Sequence, residues 1–322
     1  MEAPILYLVI PCYNEEKALP FTVKAVDDLL KKNVQAGTIS PSSRCLLVND
    51  GSKDRTWEMI RETHEHNPYF NGICLSRNRG HQNALLAGLF TASVYCDCAI
   101  SMDADLQDDI GAVEKMLAAY QEGYDVVYGV RNSRETDTAF KRMTAQAYYK
   151  LLSHLGADIV YNHADFRLLS RRALEALQEF PEVNLFLRGL VPMLGFPATK
   201  VYYDRAERVA GESKYPLKKM LSFAFEGITS LSNRPIRWIF RLGLFIFIIS
   251  LFMLLYSIIQ YFRGHTVAGW ASLITSLWAI GGLILLSLGI IGEYIGKTYL
   301  EAKHRPRFFI QEALLDAPEE RD

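Results

Sequence analysis

The chain lacks the features that mark several large classes of protein. Its formal net charge is only −1 over 322 residues, so the charge balance gives no argument for a nucleic-acid partner. Its N-terminus has no charged segment followed by an apolar run, and Glu2 and Pro4 precede a short strand-like stretch instead. This pattern argues against a secretory signal peptide.

Cysteine is scarce, and its positions do not form a recognisable framework. An odd number of cysteines in or beside strand-like runs predicts small buried hydrophobes in a reducing compartment. No second cysteine pair or histidine pair accompanies Cys96 and Cys98, so a zinc site is not indicated. The five cysteines are Cys12, Cys45, Cys74, Cys96 and Cys98.

Glycine-rich phosphate-binding motifs are also missing. No loop has the spacing G-x-G-x-x-G of dinucleotide-binding folds or the P-loop spacing G-x-x-x-x-G-K-S/T. If the chain binds a nucleotide, acidic residues and a metal ion must therefore hold it in place of a glycine-rich loop.

Apolar runs, polar loops and helical periodicity alternate along the first part of the chain. This repeat predicts an α/β fold with a doubly wound, mostly parallel sheet, in which ligands bind beyond the carboxyl ends of the strands. The predicted strands are residues 5–10, 45–48, 70–75, 98–102 and 125–130, and the predicted helices are residues 18–32, 56–66, 82–92 and 113–120.

Polar clusters follow three of these strands, at residues 14–16, 49–52 and 103–109, and are expected to converge on one crevice. In the last cluster Asp103 and Asp105 are separated by one residue and are followed by further acids. Crowded carboxylates are unfavourable unless a cation compensates them, so the cluster predicts Mg²⁺ or Mn²⁺. The alternative is an acidic, solvated turn at the start of a helix.

Two long uncharged runs, residues 242–262 and 267–292, occupy the last third of the chain. Each is long enough to cross a bilayer, so they predict a transmembrane hairpin with helices at about 239–262 and 267–292. Arginine and lysine flank the outer ends, which places both ends in the cytoplasm. The alternative is a helical hairpin buried in a soluble core.

Three segments, in order along the chain, carry a family resemblance. They read V-I-P-C-Y-N-E-E at residues 9–16, V-N-D-G-S-K-D at residues 48–54 and D-A-D-L-Q-D at residues 103–108. They resemble successive motifs of inverting family-2 glycosyltransferases with the GT-A fold. More narrowly, the chain resembles polyprenyl-phosphate glycosyltransferases, which include dolichyl-phosphate mannose synthases and bacterial undecaprenyl-phosphate enzymes. The first motif departs from the usual pattern at Cys12, where the family has a small or aliphatic residue.

The resemblance implies a division of the chain into four parts. A cytosolic GT-A domain would span residues 1–205, and a juxtamembrane amphipathic segment would span residues 206–235. The two transmembrane helices would lie within residues 236–297, and residues 298–322 would form a cytosolic tail.

The resemblance also implies a donor site. Asp50 would accept a hydrogen bond from the uracil ring, although an Asx-turn before Gly51 is the structural alternative. Gly80 would permit close approach of the backbone to the base and ribose of the nucleotide. Asp103 would face the diphosphate, with Asp105 and Gln107 on the metal. The nucleotide pocket would be lined by Pro11, Asn14 and Glu15, with Glu15 towards the ribose, while His81 favours a structural or surface role.

An acceptor site is implied as well. Arg131 leaves a strand at the ligand-binding edge, where a guanidinium can grip the phosphate of the acceptor lipid. Asp165 matches an acidic family residue and is either a catalytic base or an orienting residue, since a phosphate monoester with a second pKa of about 6 hardly needs a base. The remaining predicted contacts, in basic segments that anionic lipid would also attract, are Arg142, Arg208, Ser213 and Lys214.

The expected function is inverting transfer of glucose or N-acetylglucosamine from a UDP-sugar to undecaprenyl phosphate, for modification of cell-envelope glycans. The enzyme is expected to be a homo-oligomer of the inner or plasma membrane, with its catalytic domain and both termini in the cytoplasm. One alternative is an enzyme like dolichyl-phosphate mannose synthase. Another is a processive polysaccharide synthase, although Arg237 and Trp238 lack the preceding glutamine of a Gln-x-x-Arg-Trp motif. A third is a non-catalytic membrane protein that binds a lipid or a partner.

Overall fold

The fold is that of a computed structural model, which describes residues 3–132, 163–183, 186–204, 234–263 and 269–315. Four predicted site residues, Arg142, Arg208, Ser213 and Lys214, lie outside the described residues. Most of the predicted juxtamembrane segment, residues 206–235, also lies outside them.

The described residues contain one mixed sheet of eight strands. The strands are β1 (Leu6–Cys12), β2 (Arg44–Asn49), β3 (Phe70–Leu75), β4 (Cys98–Ser101), β5 (Val126–Arg131), β6 (His163–Ser170), β7 (Ala198–Tyr203) and β8 (Ile310–Leu314). Their order across the sheet is β7-β5-β6-β4-β1-β2-β3-β8. Pairing is parallel for β1 with β2 and β4, for β2 with β3, and for β5 with β7, and it is antiparallel around β6 and β8. The predicted α/β fold with a mostly parallel sheet is confirmed.

Helices pack against both faces of the sheet, and the sheet divides the core into two apolar clusters. Alternate residues of β1 show the division, because Leu8 belongs to one cluster and Val9 to the other. The helices of this part are α1 (Leu19–Gln35), α2 (Thr56–His66), α3 (His81–Ala92), α4 (Ala112–Gln121), α5 (Arg171–Gln178) and α6 (Leu187–Met193). The loops that follow the parallel strands β1 to β4 lie together at one edge of the sheet.

Strand β6 is one of the elements that the hydrophobic pattern does not predict. Asp165 and Arg167 interrupt its apolar run, and charged residues are rarely buried unless they are paired. Arg167 is nevertheless only 1% exposed. Its guanidinium pairs with Asp165 at 2.6 Å and donates to the carbonyl oxygen of Leu187 at 3.2 Å. The ion pair with Asp165 lies within β6, whereas the hydrogen bond to Leu187 joins β6 to α6 and cannot be read from the local sequence.

Two long helices follow β7 in the chain, α7 (Arg234–Phe262) and α8 (Trp270–Ala302). Both expose large apolar side chains, including Phe252 at 68% and Leu285 at 71% exposed. Within the described part of the chain, the stretch Ile280–Ala302 is the one that is both long enough and apolar enough to cross a membrane.

The segment after α8 returns to the eight-stranded sheet, although the sequence predicts a tail from residue 298. Strand β8 pairs with the edge strand β3, and the Glu312 carboxylate accepts from Arg61 Nη2 at 2.9 Å and from Trp57 Nε1 at 3.3 Å. At the end of α8, the Glu301 carboxylate accepts from the Val183 N–H at 2.8 Å. A run of five residues is too short for its alternation to be recognised in the sequence, whereas an unpaired sheet edge provides its partner.

Candidate active site

The loops after β1 and β2 are joined by reciprocal hydrogen bonds. The Asn14 N–H donates to Ser52 Oγ at 3.0 Å, and Asn14 Oδ1 accepts from the Lys53 N–H at 2.8 Å. The Glu15 N–H donates to Thr56 Oγ1 at 2.9 Å. Asn14 has φ of 54°, a left-handed conformation that asparagine tolerates better than most residues. Two of the predicted nucleotide-site segments are therefore joined by hydrogen bonds. They lie beside Pro11, which pairs with Val48 within the sheet.

Asp50 anchors the loop that follows β3. Its two carboxylate oxygens accept from the N–H groups of Arg79 at 2.7 Å and Gly80 at 2.9 Å, and the residue is only 2% exposed. Burial raises the pKa of Asp50 above its ordinary value, and these two hydrogen bonds oppose the shift. The observed contacts are internal, and the predicted contact with a uracil ring stays a prediction.

A tight backbone contact between two of these loops occurs at Gly51, while the predicted approach of the Gly80 backbone to a nucleotide stays a prediction. A Cβ atom built on Gly51 would lie 2.5 Å from the backbone nitrogen of Asn78, whereas one on Gly80 would meet no atom of the described residues within 4 Å. Gly80 still has φ of 85°, which favours glycine. The loops after β2 and β3 therefore touch through Gly51, directly beside the anchor Asp50.

The acidic loop after β4 is held in a specific turn. Leu106 has φ of 52°, the Gln107 N–H donates to Asp105 Oδ1 at 3.2 Å, and Thr22 Oγ1 donates to the Ala104 carbonyl oxygen at 2.6 Å. Asp103 and Asp105 are half-buried, whereas Gln107 is buried. Burial and the carboxylates of Asp108, Asp165 and Asp105 raise the pKa of Asp103, although His81 opposes the shift. Negative charge is thus concentrated where a cation is expected.

A second acidic centre lies beside this loop, on β6. Asp165 pairs with Arg167 at 2.6 Å and with Arg188 of α6 at 3.1 Å. Burial alone would raise the pKa of Asp165, but Arg188 and Arg167, assisted by His81, hold it well below its ordinary value. A carboxylate that is so strongly stabilised as the anion is a weak proton acceptor, so its environment favours orientation over general-base catalysis.

His81 lies between the two acidic centres. It begins helix α3, and its Nε2 atom is 3.7 Å from Asp103 Oδ1 and 3.9 Å from Asp165 Oδ2. The sequence favours a structural or surface role for this histidine. The structure places this histidine beside both acidic centres, and its structural or surface role stays a prediction.

Arg131 is the third charged centre at this edge. It ends strand β5 and donates through Nη2 to Asp108 Oδ1 at 2.9 Å. Burial would lower the pKa of Arg131, but Asp108 and Tyr203 outweigh it and raise the pKa. The guanidinium is therefore held in its charged form at the place where the sequence predicts contact with a phosphate.

The sequence pattern misses several residues of these centres. Arg188 left a usable signal, since a single arginine in an apolar run needs a partner, and the partner is Asp165. Asp108 lies inside the acidic motif, but its spacing does not distinguish it from Asp109, which is exposed. Tyr203 has no signal at all, because its role depends on the register of β7 beside β5.

The pH dependence of stability should report the two arginines around Asp165. A carboxylate with a lowered folded-state pKa stabilises the protein fully above its unfolded pKa and loses that contribution as the pH falls. Wild type should therefore exceed Asp165→Asn in thermal midpoint near neutral pH, and the difference should shrink below about pH 4. Thermal unfolding of both proteins between pH 2.5 and pH 7 measures it.

A second variant tests the cause. Arg188→Gln removes the largest charge that lowers the pKa of Asp165 against the effect of burial. In the Arg188→Gln background, the advantage of the Asp165 carboxylate over the Asp165→Asn variant should therefore be lost at a higher pH than in the wild-type background as the pH falls. Parallel stability profiles for wild type and Asp165→Asn over the whole pH range would contradict this assignment.

Comparison with known proteins identifies the family. A family model described as "Glycosyl transferase family 2" matches residues 7–178, which contain the loops after β1 to β4, Arg131 and Asp165. The chain belongs to glycosyl transferase family 2. As a member of this family it is a transferase enzyme, and the predictions of the family and of an enzyme are confirmed.

Family-2 relatives match nearly the whole chain. It is 52% identical to an uncharacterized glycosyltransferase, YkoT, of Bacillus subtilis (strain 168), over 95% of this chain and 91% of that protein. It is 39% identical to a bactoprenol glucosyl transferase of Shigella phage SfV, over 94% and 97% of the two chains. A solved structure of glucosyl-3-phosphoglycerate synthase from Mycobacterium tuberculosis, with Mn²⁺ and UDP-glucose, is 19% identical with a TM-score of 0.46, over 71% of this chain and 78% of that one.

Proposed function

We propose that this family-2 transferase moves glucose or N-acetylglucosamine from a UDP-sugar to undecaprenyl phosphate, with inversion at the anomeric carbon. The observation that carries the proposal is that the charged centres around Asp103, Asp165 and Arg131 lie together at one edge of the sheet. The same chain also has the apolar stretch Ile280–Ala302. Such an edge offers anionic and cationic positions together, as transfer between two phosphate-bearing substrates requires.

The relatives support the choice of acceptor and of one sugar. Proteins of Shigella phages SfV and SfII, 39% and 38% identical to this chain, are named bactoprenol glucosyl transferases. Bactoprenol is a polyprenyl carrier, and glucose is one of the two sugars that the sequence motifs lead us to expect. These names support a polyprenyl-phosphate acceptor for this chain and favour UDP-glucose as the first donor to test.

The acidic loop fits a divalent cation held together with the donor. The described residues contain no group of three or more histidine, cysteine, aspartate or glutamate side chains that would hold a metal by themselves. Mg²⁺ and Mn²⁺ commonly use one or two carboxylates and complete their shell with water and substrate phosphates. Asp105, Gln107 and the donor diphosphate are the proposed ligands, and the bound ion would stabilise charge on the departing diphosphate.

The other residues act by binding and orientation. The acceptor phosphate is largely ionised at neutral pH because its second pKa is about 6, so its oxygen is already a nucleophile. Asp165 keeps its charge and holds Arg167 and Arg188 in place. Arg131 is proposed to bind a phosphate of the acceptor, while Asn14, Glu15 and the loop anchored by Asp50 hold the nucleoside. Positioning and electrostatic stabilisation then supply most of the rate.

A membrane location follows from the proposed acceptor. We propose that α7 and α8 form a two-helix hairpin in the inner or plasma membrane, with both ends in the cytoplasm, and that the protein is a homo-oligomer. The exposed apolar side chains of both helices support contact with lipid. The acceptor phosphate lies at the headgroup level, so a catalytic domain anchored by this hairpin would meet it there.

A turnover assay with purified full-length protein tests the function. Radiolabelled UDP-glucose, UDP-N-acetylglucosamine and other nucleotide sugars are each incubated with undecaprenyl phosphate and Mg²⁺ or Mn²⁺. We expect chloroform-soluble label with one of the two named donors, and NMR of the product should show an inverted anomeric centre. A long water-soluble polymer would identify a processive synthase, and no turnover with any donor would favour a non-catalytic protein.

A further inference from the structure

The site contains a buried carboxylate that none of the roles above uses. Asp108 follows the acidic motif, and its side chain is only 3% exposed. A single oxygen, Oδ1, accepts from Arg131 Nη2 at 2.9 Å, Arg131 Nε at 3.3 Å and the Tyr203 hydroxyl at 2.5 Å. A buried carboxylate with three donors on one oxygen is a strong and directional anchor.

The anchor joins three separate parts of the chain. Asp108 comes from the loop after β4, whereas Arg131 and Tyr203 are register partners at the ends of the parallel strands β5 and β7. Tyr203 is 1% exposed, and its ring packs edge-on against Phe166, with ring centroids 5.3 Å apart. Phe166 stands between Asp165 and Arg167 on β6, so the same packing supports both charged centres.

Arg131 differs from its two partners in exposure. Its side chain is 27% exposed, whereas Asp108 and Tyr203 are buried. Asp108 and the Tyr203 hydroxyl engage the Nε and Nη2 edge of the guanidinium, which fixes the orientation of its plane. A group whose orientation is fixed before a ligand arrives loses less entropy on binding.

We propose that Asp108 and Tyr203 are positioning residues that orient Arg131 towards a substrate phosphate oxygen. The proposal rests on the proposed function for the presence of a phosphate-bearing substrate. The acceptor monophosphate and the donor diphosphate share the required chemistry, and the test below distinguishes them.

The test measures binding, so that it does not depend on turnover. Calorimetric titrations of the full-length protein use UDP for the donor phosphates and farnesyl phosphate, a short soluble polyprenyl phosphate, for the acceptor. Tyr203→Phe removes one hydrogen bond and keeps the ring against Phe166, so it should weaken one ligand by about 3- to 10-fold. Asp108→Asn should weaken the same ligand by about 10- to 100-fold, because it removes a charged partner.

Controls separate positioning from a purely structural role. Tyr202→Phe changes the neighbouring residue of β7, which is 54% exposed, and should leave both affinities unchanged. If Tyr203 acts through Arg131, Tyr203→Phe should have no further effect in an Arg131→Gln background. Farnesol, which has no phosphate, should bind all variants equally.

The outcomes are distinct. Loss of affinity for farnesyl phosphate alone assigns Arg131 to the acceptor, and loss for UDP alone assigns it to the donor. Either result supports the proposal when the effect disappears in the Arg131→Gln background. Unchanged affinities in Tyr203→Phe, or a loss that persists without Arg131, overturn it. Absence of glycosyl transfer by wild-type protein would overturn the proposed function alone, because the binding measurements still decide the role of Asp108 and Tyr203.

Discussion

Asp105→Ala should lower glycosyl transfer by at least about 100- to 1000-fold, since it removes a charged group that acts where charge develops on the leaving diphosphate. The side chain is half-buried in the acidic loop and accepts from the Gln107 N–H. Removing this half-buried side chain from a loop should leave the fold intact. Initial rates with the donor identified in the turnover assay, together with the thermal midpoint, measure both effects.

Asp109→Ala is the matched control for this prediction. Asp109 belongs to the same acidic run, but it is exposed and accepts from the Gly111 N–H at 2.9 Å. This variant should keep its rate within about twofold, because Asp109 is exposed and is not among the proposed metal ligands. Calorimetric binding of Mn²⁺ in the presence of UDP gives a second readout, which Asp105→Ala should lose and Asp109→Ala should keep. A wild-type rate for Asp105→Ala would remove this residue from the proposed metal site.

Gly51→Ala should be the most destabilising conservative substitution in the loops after β2 and β3. The added Cβ would lie 2.5 Å from the Asn78 nitrogen and 2.6 Å from the Arg77 carbonyl carbon, and both atoms belong to backbone that cannot rotate away. Gly51 also has φ of 64°, which is strained for alanine. The two effects together should cost about 2–4 kcal/mol in unfolding free energy. They should also raise the KM for the donor, because the loop held by Asp50 must move.

Gly37→Ala separates the two contributions. Gly37 has a similar φ of 68°, but its added Cβ would meet no atom of the described part of the chain within 4 Å. It should therefore cost only about 1 kcal/mol and leave the KM for the donor unchanged. Thermal unfolding and donor kinetics of both variants measure the difference. Equal destabilisation by the two substitutions would mean that the loops after β2 and β3 separate easily and that Gly51 is not a fixed contact.

Much of the catalytic domain is predictable because its signals are local. The β3 run over residues 70–75 and the α2 periodicity over residues 56–66 match the observed elements, since each combines a burial pattern with clear flanking turn residues. Parallel strands direct their exit loops to one edge, so Asn14, Asp50 and Asp103 could be assigned to a common crevice from the strand pattern alone.

The charged pairs of the site were not predictable in the same way. Asp165 could be named from its motif, but whether it acts as a base or an orienting residue depends on Arg188, which lies on helix α6. The environment of Arg131 depends on Asp108 and Tyr203, and the second of these is brought beside it by the register of β5 and β7. Electrostatic environment is a sum over neighbours in space, and most of those neighbours are distant in sequence.

The acidic stretch 103–109 and the apolar stretch of α8 are what the sequence by itself determined. The affinity of clustered carboxylates for a cation and the preference of a long apolar helix for lipid depend on composition and local spacing, so both can be predicted without the fold. The tertiary structure decided that Gly51 touches the loop after β3, that β6 buries Arg167, and that β8 returns from α8 to the sheet. Each of these depends on contacts between residues far apart in the chain, whose free energy exists only once the strands and helices are packed together.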